Sequence, residues 1–252
     1  MTRRRTFLIA TAAAVTATAG AGAFATYELL QDDPPLALVY RGPAATPGCP
    51  EAVAALLRTT STRLRVEYVG PREKLEFSAE NLSRAKIFAQ PGGGDVESAW
   101  PRLRKHADAV RDWVRGGGVY LGFCLGGYLA GTPGYRLLAG NSEQYIATAN
   151  AVVTTADDAI VPVTWRGQRR KLYFQDGPTF RIRSGTALQQ LATYPTGEPA
   201  AIVTRYGQGR VGLTGPHPEA DESWFHPPRL PATDAVHPEL GHDLIETTLA
   251  IQ

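Results

Sequence analysis

Val119-Tyr-Leu-Gly-Phe-Cys124-Leu-Gly-Gly-Tyr-Leu-Ala130 is the stretch on which the fold turns. Val119 to Phe123 form an apolar run suited to a buried parallel strand, Cys124 follows at once, and Leu125 onward can start a helix. Gly122 and Gly126 stand two residues to either side of the cysteine, where a missing Cβ lets strand and helix approach through a tight turn. A thiol on such an elbow is presented to a ligand. The helix N-terminus behind it favours thiolate over thiol by roughly 0.3–1 kcal/mol, under one pKa unit, so a partner base must supply most of the activation.

The same unit recurs upstream. Leu36–Tyr40 reads as a first strand, Gly42 to Gly48 as a small-residue loop, and Pro50 with Glu51 as the first turn of a helix carrying Val53, Leu56 and Leu57. Leu64–Val69 and Ala85–Ala89 read as further strands. The loop Pro91-Gly-Gly-Gly-Asp95 opens onto a helical stretch from about Trp100 to Arg115, which Gly116 to Gly118 stop. Strands alternating with helices at this spacing predict an open, mostly parallel α/β sheet with helices on both faces. The second half is strand-rich, with expected strands at 151–154, 160–163, 170–174, 187–194, 200–206 and 210–214, a proline-rich surface loop from Phe225 to Pro231, and a final helix from about Glu239 to Ile251.

A partner for Cys124 is found in Val211-Gly-Leu-Thr-Gly-Pro-His217-Pro-Glu219, where a histidine directly follows an apolar strand. His217 can take the thiol proton, and Glu219 can fix the imidazole tautomer and stabilise its charge. Strand carboxyl ends of an open α/β sheet share one rim, so the two motifs are expected to meet. The glycine run adds backbone N–H groups: Gly93 and Leu125 are the expected oxyanion donors, each worth about 2.7–4 kcal/mol in a working hole. Gly94, Asp95, Tyr128, Asp176 and Cys49 are expected around the substrate, although Asp95 reads equally as a helix N-terminal acid and Asp176 as part of an Asp-Gly-Pro turn.

Two cysteines, Cys49 and Cys124, exclude a disulfide scaffold, although a bridge between them would silence the nucleophile until reduced. The second His-Pro-Glu, at His237, abuts the C-terminal helix and reads as a helix start. His106, His226 and His242 have no partner pattern, and no histidine pair has zinc-ligand spacing with a third ligand nearby, so neither metal nor cofactor is expected. The net charge of +2 is small and owes part of its size to N-terminal arginines, which argues against nucleic acid as a partner. Hydrophobic residues make up 43% of the chain, ample for a packed core.

Residues 1–25 read as an export signal. Arg4-Arg5-x-Phe7-Leu8 leads into an uncharged Ala/Thr/Gly-rich run to Ala25, resembling a twin-arginine signal, with A-x-A-like cleavage sites at Ala21 to Ala25. Residues 26–35 form a polar, proline-closed linker, and 36–252 one domain. Membrane contact is expected only through export or an uncleaved signal anchor.

Taken in order, Gly-x-Cys-x-Gly, the upstream Pro-Gly-Gly loop and the downstream His-Pro-Glu resemble class I glutamine amidotransferases. The chain is most similar to the family named for the N-terminal domain of biotin-protein ligases, through Val39–Pro43, Gln90–Asp95, Gly117–Tyr128, Tyr173–Gly177 and Gly209–Glu219. The resemblance implies a flavodoxin-like sheet, a Cys124–His217–Glu219 triad and, here, a stand-alone exported form. Glutamine-using members carry His-Gln after Cys-x-Gly; Gly127-Tyr128 stands in that place and lacks the amide. Two functions are open: a cysteine hydrolase or amidase acting through a thioester on an amide-type small molecule or peptide, or a ligand-binding or scaffold protein without turnover.

Overall fold

Central strands buried on both faces build the core. A computed structural model describes residues 33–226, 230–232 and 234–251, so the expected signal and most of the linker lie outside the described residues. The strands are β1 (Leu36–Tyr40), β2 (Arg65–Val69), β3 (Ile87–Gln90), β4 (Val119–Phe123), β5 (Gly140–Gln144), β6 (Ala159–Trp165), β7 (Gln168–Phe174), β8 (Pro178–Ile182), β9 (Leu188–Thr193), β10 (Pro199–Tyr206) and β11 (Gly209–Thr214). The helices are α1 (Cys49–Arg58), α2 (Ala79–Ser83), α3 (Val96–Leu103), α4 (Ala107–Arg115), α5 (Leu125–Leu129) and α6 (Pro238–Ala250). Successive β1 residues point to opposite faces: Ala37 and Val39 pack with α1 and α6, Leu38 and Tyr40 with the side that carries α4 and α5.

Nine strands form one sheet in the order β2-β1-β3-β4-β11-β10-β9-β6-β7, and β5 pairs with β8 in a small second sheet. The first five run parallel in the doubly wound 2-1-3-4-5 order. From β11 onward each pairing is antiparallel, so the strand-rich second half extends the same sheet. β3, β4 and β11 are therefore parallel neighbours, with Gln90 and Leu213 both opposite Gly122. The glycine loop, Cys124 and the His-Pro-Glu segment all leave from their carboxyl ends and meet on one rim.

Several elements depart from the sequence reading. The helix expected over 100–115 starts at Val96, capped by Asp95, and is divided by a short 3₁₀ turn at Arg104–His106 into α3 and α4. Residues 151–154 are irregular, while β5, β8 and α2 carry no apolar alternation to announce them. Pro178 opens β8 and was masked by its Asp-Gly-Pro context. Phe225, the first residue of the expected proline-rich loop, is fully buried with Tyr173 and Ala220, while residues 227–229 lie outside the described residues.

Candidate active site

Cys124 sits between β4 and α5 at φ 47°, ψ −103°, a backbone conformation that L-residues rarely adopt. Its N–H donates to the Thr214 carbonyl at 2.9 Å, tying the elbow to β11. The flanking glycines are obligatory in this geometry. A Cβ on Gly122 would lie 2.4 Å from the Gly126 carbonyl oxygen, and one on Gly126 would lie 2.1 Å from that of Gln90. The thiol is 6% exposed, and its sulfur contacts the Gln175 carbonyl oxygen at 3.5 Å.

His217 and Glu219 lie behind the sulfur. Nδ1 of His217 is 2.8 Å from Oε1 of Glu219, and both side chains are buried. The His217 backbone N–H donates to the Tyr173 carbonyl, and the ring packs against Tyr173 and Trp224. Burial works to lower the imidazole's pKa, but the Glu219 carboxylate and the Cys124 sulfur beside it outweigh that and push it up to about 10. Gly92 supplies the remaining wall: a Cβ there would come within 2.9 Å of His217 Cε1. The glycine run thus makes room for the imidazole as well as for a ligand, a role the sequence reading did not assign.

A cleft of about 410 Å³ opens in front of Cys124. Its lining comes from Gly93, Gly94, Asp95 and Val96 after β3, from Leu125 and Tyr128 of α5, and from Gln144, Ala156, Gln175 and Asp176. Of the residues expected around the substrate, Gly94, Asp95, Tyr128 and Asp176 line it. Cys49 does not: it is buried at the start of α1, and its sulfur would lie 3.4 Å from a Cβ on Gly92. Both cysteines are free thiols, and burial together with Glu219 and Cys124 holds the Cys49 thiol far above its ordinary pKa, hence neutral.

Gly93 and Leu125, the expected oxyanion donors, both border the cleft beside the sulfur. Leu125 is the first residue of α5, so its N–H has no intrahelical acceptor. Asp95 accepts the Ser98 N–H at 2.6 Å as the α3 cap while facing the cleft. Tyr128 donates its hydroxyl to the Asp176 carbonyl at 3.1 Å, so the residue standing in the amide's place ties α5 to the Asp176 backbone.

Sequence reading missed Gln144 and Trp224, and it gave Gln90 and Tyr173 no role beyond their place in the matching segments. Gln144 lies on a polar strand with no pattern to flag it. Gln90 is fully buried, and its Nε2 donates to Ala44 O at 3.1 Å, fastening the glycine loop to the loop after β1. His237 repeats the 2.8 Å contact with Glu239, but at the exposed start of α6. Among the described residues no group of three or more His, Cys, Asp or Glu is placed to hold a metal ion, and no helix is long and apolar enough to cross a membrane.

Residues 36–133 match the family described as biotin-protein ligase, N terminal, a family with the class I glutamine amidotransferase-like fold. The matched stretch includes the glycine loop and Cys124 and ends before His217. No curated protein matches the sequence. Among solved structures, an exo-β-1,4-mannosidase from Opitutaceae bacterium strain TAV5 is 17% identical with a TM-score of 0.51, over 89% of this chain and 38% of its own. A cytoplasmic protein from Salmonella typhimurium LT2 is 12% identical with a TM-score of 0.49, over 84% and 98%. A ThuA-like protein from Bacteroides uniformis is 12% identical with a TM-score of 0.44, over 74% and 83%. The chain spans well under half of the mannosidase, and at this identity the likeness concerns the fold alone.

Proposed function

We propose that the protein is an exported cysteine-nucleophile amidase. The observation that carries this reading is the placement of Cys124: held at φ 47° on the elbow, with the buried His217–Glu219 pair behind it and a cleft in front. An uncharged thiol kept for packing has no need of that strain, which costs on the order of 1–3 kcal/mol.

The chemistry follows from the geometry. With His217 protonated near neutrality, the sulfur acts as thiolate and attacks the amide carbonyl carbon, forming a C–S bond and placing negative charge on oxygen. The N–H groups of Gly93 and Leu125 hold that oxyanion. Collapse breaks the C–N bond, His217 donates its proton to the leaving amine, and a thioester remains. Water then attacks the thioester, His217 takes a proton from it, and the carboxylic acid leaves as the sulfur becomes a thiolate again. Tyr128 in place of a glutamine-holding amide turns the cleft toward a substrate other than glutamine. Export rests on the Arg4-Arg5 signal pattern and the uncharged run after it.

Alkylation of Cys124 by iodoacetamide across pH tests the reading. An enzyme-type site labels with an apparent pKa well under the roughly 8.5 of a free thiol, and His217→Ala abolishes the difference. Labelling that matches a simple thiol would instead support a ligand-binding protein that keeps the fold without turnover. Secretion of a reporter fused to residues 1–35, lost when Arg4 and Arg5 become Lys, tests export.

A further inference from the structure

The cleft beside Cys124 has two carboxylates in its walls and, among the described residues, no Lys, Arg or His. Asp95 is occupied by its helix cap. Asp176 is not. Its Oδ2 accepts the Gln144 Nε2–H at 2.8 Å, whereas Oδ1 is buried with no hydrogen-bond partner among the described residues. Burial holds its pKa above the ordinary carboxylate value; the Gln144 bond opposes this, and no cation helps. The backbone is fixed as well. Asp176 is at φ 48°, its carbonyl is bonded by Tyr128, and the carbonyl of the preceding Gln175 contacts the Cys124 sulfur.

A partly buried carboxylate without a cation is costly, and the cost is relieved by an ion pair, by a metal or by uptake of a proton. No side chain of the described protein supplies the first, and no ligand set supplies the second. We propose that Asp176 is a specificity-determining residue that binds a substrate ammonium group, so that the amide cleaved at Cys124 carries a free primary amine close to its scissile carbonyl, as amino-acid amides and peptide N-termini do. An α-amino group, with a pKa of about 7.7–8.0, is largely protonated at pH 7. An anionic substituent would meet repulsion from both Asp95 and Asp176. This inference rests on Cys124 being the nucleophile and deepens that reading by naming a substrate class.

The test uses three methanethiosulfonates, carrying an aminoethyl, a methyl or a sulfonatoethyl group. Each reacts by attack of the thiolate on the sulfenyl sulfur, forming a mixed disulfide and releasing methanesulfinate. Rates at Cys124 in the mature protein are followed by peptide mass and normalised to free cysteine at the same pH. The expected cation-to-anion rate ratio is about tenfold or more, the effect of one nearby charge, and Asp176→Asn lowers it at least about fivefold. Asparagine tolerates the left-handed backbone, so the variant keeps the loop. A wild-type ratio near one, or a ratio unmoved by Asp176→Asn, overturns the proposal. Failure of the nucleophile reading looks different: the methyl reagent then reacts at Cys124 no faster than at free cysteine and His217→Ala changes nothing, while the charge ratio still reports on Asp176.

Discussion

His217 Nδ1 and Glu219 Oε1 are 2.8 Å apart, with the His217 side chain 4% exposed and that of Glu219 fully buried. His237 and Glu239 make the same contact at the same distance, with side chains 19% and 60% exposed. A His-Pro-Glu tripeptide therefore encodes the local pair by itself, and its place in the fold decides what the pair can do. After β11 it is sealed behind a thiol; before α6 it sits at an exposed helix start without a side-chain cap bond.

Substituting the two glutamates separates these cases. Glu219→Gln preserves volume and removes the charge that holds His217 protonated, so iodoacetamide labelling of Cys124 at pH 7 is expected to slow by about 10²-fold, the low end of what acid–base partners contribute. Glu239→Gln is expected to leave the rate unchanged. Equal rates in wild type and Glu219→Gln would remove Glu219 from the triad.

How much of this was legible beforehand depends on the type of signal. β1, β4 and β11 are apolar runs closed by turn residues; Cys124 directly follows β4 and His217 comes after β11 and Gly215-Pro216, so parallel order alone brings them to one rim. The walls of the cleft were harder to read. Gln144 lies on β5, Gly140–Gln144, whose residues pair with β8 partners 34 to 42 positions along the chain, from Pro178 opposite Gln144 to Ile182 opposite Gly140. No local period announces such a contact. Cys49, expected around the substrate, does not line the cleft: its thiol is buried at the start of α1 beside Gly92, a fact of tertiary packing.

The pH dependence of stability follows from the same pair. The folded-state pKa of His217, about 10, exceeds the unfolded value near 6.5, so its protonation stabilises the fold fully below about pH 6.5. That contribution is lost as pH rises through 10. Urea unfolding of wild type and His217→Ala between pH 6 and 10.5 should show the wild type losing stability more steeply over this window. Parallel pH profiles would mean that the imidazole is not held protonated.

The elbow glycines can be tested against a neighbour. Gly126→Ala forces a Cβ to within 2.1 Å of the Gln90 carbonyl oxygen, and Gly122→Ala to within 2.4 Å of that of Gly126. Both obstacles are backbone, so each variant should lose about 2–3 kcal/mol or more, roughly 4–12 °C in Tm, along with fast labelling of Cys124. At Gly94 the nearest atom to a Cβ is the Ser98 hydroxyl at 3.8 Å, so Gly94→Ala should keep its Tm. Unfolding scans that rank Gly94→Ala with the other two would contradict the packing described for the elbow.

Asp176 predicts a gain in stability on losing a functional group. Its folded-state pKa is raised, chiefly by burial, so the native protein holds this proton more tightly than the unfolded chain does. Its contribution therefore opposes folding once pH exceeds the raised value, and that penalty vanishes below the unfolded pKa of about 3.9. Asp176→Asn keeps the Gln144 contact within reach and removes the charge. It should raise Tm at pH 7 by roughly 2–4 °C, the usual scale when a strained functional residue is replaced, with the gain shrinking as pH approaches 4. Thermal unfolding at pH 4 and 7 measures both values. An Asn variant that is less stable than wild type at pH 7, or whose difference ignores pH, would show that the Asp176 carboxylate is already compensated within the fold.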